Sequence, residues 1–145
     1  MIYCLLAGSF SVISVFAISN VSNKFGQYDE AIKIFATNEE NALWIYEIEP
    51  TEISEEWRQY YKNRINREGI LLWEENVTVL SALLEIDYPQ ELRDQLNILI
   101  EYSKLRKRTC ELILELMDNP IDSLKNELLI IFEQMRDKIK ETEDQ

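Results

Sequence analysis

Leu92-Arg-Asp-Gln-Leu-Asn-Ile-Leu-Ile-Glu-Tyr-Ser-Lys-Leu-Arg-Lys-Arg-Thr-Cys-Glu-Leu-Ile-Leu-Glu-Leu-Met117 is the stretch that decides the fold. Leu92, Leu96, Leu99, Leu105, Leu112 and Leu116 recur at helical spacings, with Cys110, Ile113 and Met117 beside them. Such spacing gives a long helix with one apolar face, and that face needs other helices to cover it. Asn119-Pro120 stops the run, since the residue before a proline avoids the helical region. Ile121, Leu124, Leu128, Ile131 and Met135 then repeat at intervals of three and four, so the two helices are expected to form an antiparallel hairpin.

The same periodicity continues upstream. Tyr28, Ile32, Phe35, Ala36, Leu43 and Tyr46 share one face, interrupted by Glu39, and Pro50 ends that element. Ser54 is a plausible N-cap for a helix in which Trp57, Tyr61 and Ile65 recur every fourth residue. Gly69 fits a helix C-terminus, because the apolar phase changes after it. Ile70, Trp73, Val77, Leu80 and Leu84 form the next seam, and Asp87-Tyr88-Pro89-Gln90 restarts the chain with Pro89 in a first turn. The expected fold class is all-α, an N-terminal transmembrane helix followed by an antiparallel bundle of about four to five helices. The domains read as a spanning segment over 1–23, an acidic bundle over 24–140 and a frayed polar tail over 141–145.

Residues 1–23 contain no charged side chain and match the roughly 20 residues that a membrane helix needs. Two other readings stay open, a cleaved signal peptide and a buried soluble element. Val15-Phe16-Ala17 and Ala17-Ile18-Ser19 resemble cleavage sites, but no basic residue precedes the apolar run. Lys24 and Lys33 follow the segment, which places the acidic part on the cytoplasmic side of the membrane.

A formal charge of −12 argues against nucleic acid as a partner. The chain has no histidine, so imidazole chemistry is excluded within it. Glu39-Glu40, Glu55-Glu56 and Glu74-Glu75 lack the histidine partners of a bundle metal site and read as a solvated face, so no metal and no cofactor are expected. Trp57, Tyr60, Tyr61 and Trp73 are candidates for a binding platform, but aromatics at helical spacing are more often core, and they read as core.

Lys104, Arg106, Lys107 and Arg108 form a candidate interaction patch for an acidic partner or lipid head groups. Against that, Lys104 is spaced to pair with Glu101, and Lys107 and Arg108 with Glu111. Arg106 falls in phase with the core leucines and is a candidate for a buried ion pair with Glu39.

Several segments stand in a familiar order: Phe25-Gly-Gln-Tyr-Asp-Glu30, Ile34-Phe-Ala-Thr-Asn-Glu-Glu-Asn-Ala-Leu43, Glu68-Gly-Ile-Leu-Leu-Trp-Glu-Glu-Asn76, Asp87-Tyr-Pro-Gln-Glu91, Tyr102-Ser-Lys-Leu-Arg106 and Cys110-Glu-Leu-Ile113. Together they resemble the extra transmembrane helix and helical C-terminal extension that follow the protease core in some bacterial rhomboid-family intramembrane serine proteases. The family's catalysis needs a Ser in a Gly-x-Ser-Gly-type motif and a His, and this chain has neither. No catalytic residue is carried over, and no enzymatic activity is expected. The resemblance implies a non-catalytic interaction or regulatory region at the bacterial inner membrane, with the bilayer and another protein as partners. An exported helical protein that binds a partner is the alternative.

Overall fold

The structure, a computed structural model, describes residues 26–143. The expected membrane or signal segment over 1–23 lies outside the described residues. Among those described there is no strand, and no helix is long and apolar enough to cross a membrane.

The elements in chain order are α1 Gly26–Ala42, a 3-10 turn Leu43–Glu47, α2 Glu55–Ile65, a π-turn Asn66–Ile70, α3 Leu71–Leu83, α4 Gln90–Asp118 and α5 Asp122–Glu143. At 29 residues α4 is about 44 Å long, and it is the spine against which α3 and α5 pack. α1 completes the bundle by packing on α3. The core between them holds Phe35, Ile45, Trp73, Leu80, Leu96, Leu99, Tyr102 and Leu112. Asn119 is extended (φ −145°, ψ 87°), as its following proline requires, and a three-residue link reverses the chain into α5. The helix of α5 runs to Glu143, beyond the expected boundary at 140.

Gly69 does not end a helix. Backbone hydrogen bonding continues from α2 through the π-turn into α3, and no glycine among the described residues has a positive φ. Its role is steric. A Cβ placed on Gly69 would lie 2.6 Å from Ile45 Cδ1 and 2.9 Å from Cys110 Sγ, both on fully buried residues. The π-turn accommodates this crossing with an extra residue, and that residue rotates α2 relative to α3.

Other ends are held by side chains the sequence did not flag. Ser54 sits at the N-cap of α2 but makes no side-chain cap bond. Pro89 lies one residue before α4, at its N-cap. Arg93 donates to the carbonyls of Leu84 (3.1 Å) and Ile86 (3.4 Å) after α3. Arg58 donates to the Met117 carbonyl, and Lys62 pairs with Asp118, so α2 covers the C-terminal end of α4 with two cations.

Gly69→Ala should therefore destabilise the fold by about 1–3 kcal/mol, despite alanine's better helix propensity. Ile45→Val removes the Cδ1 that is overlapped, at a cost of its own of about 0.5–1.5 kcal/mol. Urea unfolding of the double variant should show less loss than the sum of the two singles. Strict additivity would mean that the close approach is not limiting.

Candidate functional site

Two clusters outside the plain apolar core carry polar or exposed aromatic chemistry. The first lies inside the bundle. Arg106 Nε donates to the Tyr102 hydroxyl at 2.8 Å, and that hydroxyl donates to Glu39 Oε1 at 2.9 Å. The residues paired from the sequence, Arg106 and Glu39, thus reach one site with Tyr102 linking them, rather than in direct contact.

Three rings surround the guanidinium. Its carbon lies 4.3 Å from the Tyr46 ring centroid, 5.0 Å from that of Tyr102 and 6.0 Å from that of Trp73. Desolvated cation–ring contacts of this kind are worth about 2 kcal/mol.

Glu39 is 3% exposed, and its Oε2 has no hydrogen-bond partner among the described residues. Burial raises its carboxyl above the usual carboxylate range, against the lowering effects of Arg106 and the Tyr102 hydrogen bond. Burial also pushes the neighbouring Cys110 thiol up to about 12, which leaves it protonated and inert as a nucleophile at neutral pH. A buried amide pair extends the polar seam: Asn38 Nδ2 donates to Asn76 Oδ1 at 2.8 Å and to Glu75 Oε2 at 2.9 Å. These asparagines join α1 to α3 and were not singled out in the sequence, where they look like ordinary surface residues.

The candidate basic patch is dispersed. Lys104 pairs with Glu101 at 2.6 Å as its spacing implies, while Lys107 reaches across to Glu74 on α3 at 3.2 Å. Arg108 joins Glu127 on α5 at 2.8 Å as well as Glu115 at 2.9 Å and Glu111 at 3.4 Å. Three of the four cations thus meet carboxylates at the surface, and Arg106 points inward.

The second cluster is on the surface beside α2. Trp73 is fully buried, but Trp57 is 53% and Tyr60 48% exposed, contrary to their reading as core. α2 lies at the margin of the bundle, where Arg58 and Lys62 meet the C-terminal end of α4, and of its Trp57, Tyr61 and Ile65 stripe only Ile65 is buried. Four rings follow one another here, with centroid separations of 6.2 Å for Trp44–Tyr61, 5.5 Å for Tyr60–Tyr61 and 5.7 Å for Trp57–Tyr60. Three of them, Trp44, Tyr61 and Trp57, border an open groove of about 740 Å³ whose lining also includes Glu47, Glu49 and Glu52. Arg64 sits over Trp44, 3.8 Å from the centroid, and is held there by Glu68 at 2.7 Å.

No group of three or more metal-ligating side chains occurs among the described residues. Comparison of the chain with protein-family models, with curated proteins and with solved structures returns no match.

The titration of Glu39 has a defined sign. A carboxyl whose folded pKa is raised contributes its full stability below the unfolded value, near 4.5, and loses it as pH rises through the folded value. The stability of the wild type relative to Glu39→Gln should therefore increase as pH falls from 7 towards 4.5. Urea titrations of both proteins across that range check this, and a constant difference would refute it. Tyr102→Phe strands both neighbours of the lost hydroxyl and should cost about 1–3 kcal/mol at pH 7.

Proposed function

We propose that this chain is a non-catalytic, all-α interaction domain working beside a membrane. Residues 1–23 serve as its anchor, and the aromatic groove along α2 is its contact surface. The observation that carries the reading is the exposure of Trp57 and Tyr60 in series with Tyr61 and Trp44. Large aromatics gain most from burial, and they supply much of the binding energy at the centres of protein interfaces. A rim of carboxylates around such rings matches the apolar-centre, polar-edge pattern of protein contacts.

The missing histidine and nucleophile motif support a role in binding rather than catalysis. The uncharged run over 1–23 supports attachment to a bilayer. On the resemblance drawn from the sequence, the role would be that of an accessory region of a rhomboid-like membrane protein.

Site-specific photo-crosslinking in expressing cells tests the contact surface. A benzophenone side chain at position 57 or 60 of the full chain should yield a discrete protein adduct. The same group at Ile130, equally exposed on α5, should not. Equal labelling at all three positions, or none at 57 and 60, would remove the groove from the reading. Alkaline carbonate extraction of the C-terminally tagged chain tests the anchor. Full-length protein should stay in the pellet, and release into the supernatant would overturn anchoring.

A further inference from the structure

We infer that the groove takes an arginine-bearing segment of a partner protein, with a guanidinium stacked on Trp57 and its charge met by Glu47 and Glu52. This rests on the groove being the contact surface and adds the chemistry of what enters it.

The groove's charge favours a cation. Three carboxylates, Glu47, Glu49 and Glu52, line it against one guanidinium, that of Arg64, which Glu68 already holds. Glu49 is engaged locally, accepting from the Thr51 hydroxyl at 3.0 Å. Glu47 and Glu52 are exposed and take part in no ion pair among the described residues.

The ring faces favour a planar cation. Arginine is already stacked on aromatic rings twice in this fold. Arg64 lies over Trp44 beside Glu68, and Arg106 lies over Tyr46 and Tyr102 with Glu39 beyond. Trp57 offers the same indole chemistry along the groove from Trp44, and it is more than half exposed. A planar guanidinium stacks on such a face and hydrogen-bonds carboxylates in its own plane, which an ammonium does less well.

The shape favours a peptide. A groove of about 740 Å³ bordered by the 47–54 connection and α2 is larger than one side chain needs, and it is open at the surface. That suits an extended segment laid along it better than a lone small cation enclosed in a cage.

The test is a titration of the full chain, held in non-ionic detergent, followed through its three tryptophan indole N–H resonances. The probes are the capped peptides Ala-Arg-Ala-Arg-Ala, Ala-Lys-Ala-Lys-Ala and Ala-Glu-Ala-Glu-Ala. The arginine peptide should shift the Trp57 and Trp44 signals and leave buried Trp73 unmoved, with weaker binding by the lysine peptide and none by the glutamate peptide. Trp57→Ala should weaken arginine-peptide binding at least about fivefold, and Glu47→Gln with Glu52→Gln about tenfold. All three substituted positions are exposed, and an unchanged melting temperature would show that the variants are folded.

No shift with the arginine peptide, equal shifts with the glutamate peptide, or indifference to the two glutamine substitutions would each overturn the inference. Crosslinking at position 57 reports on the groove without reference to charge. An adduct there with no arginine response would leave the contact surface standing and dismiss only its proposed occupant.

Discussion

The bundle depends on one close approach, the crossing of the α2–α3 rod over α4 at Gly69. Ile45, from the turn after α1, and Cys110, in the middle of α4, both press on the space that a side chain would fill. Ile45 and Cys110 lie at zero exposure beside a buried Gly69, so neither side chain can swing aside into solvent. Three chain segments thus meet at a point where packing leaves no spare volume, and interiors packed to this density transmit small changes in shape. The placement of α2, and hence of everything it presents outward, follows from that contact.

A few residues along α4 from this crossing lies the linked set Glu39, Tyr102 and Arg106. Burying a carboxylate with one oxygen unpartnered is costly, and an apolar replacement of the group could match it in stability. The set links two helices at defined positions. Glu39 sits on α1 and the other two residues on α4, four positions apart, so the hydrogen bonds fix where one helix lies along the other. The Asn38–Asn76 pair does the same between α1 and α3. Each polar link needs its exact partner, whereas leucine against leucine tolerates sliding by a turn.

Much of this was legible from spacing alone. The leucine repeat over 92–117, the stop at Asn119-Pro120 and the hairpin into α5 all follow from periodicity and proline geometry. The inward position of Arg106 and the interruption at Glu39 could be read because a charge standing in phase with leucines is conspicuous. What hid was Tyr102, since a tyrosine on an apolar face announces a core ring and not a hydroxyl bridge. The change of phase at Gly69 was visible, but a π-turn and a helix end produce the same change in a linear pattern. Trp57 and Tyr60 read as core for a separate reason, that aromatics at helical spacing are usually buried. The capping by Arg58, Lys62 and Arg93 was beyond reach: Arg58 and Arg93 donate to backbone carbonyls, which leave no signature in side-chain order, and Lys62 meets Asp118 far along the chain.

The π-turn closes each of its rings with one residue more than an α-helix uses. In a gene this corresponds to a single inserted codon, and its effect on the protein is a rotation of about 100° upstream of it. Loss of one residue from 66–70 would turn α2 by about 100° relative to α3 and present a different set of its side chains outward.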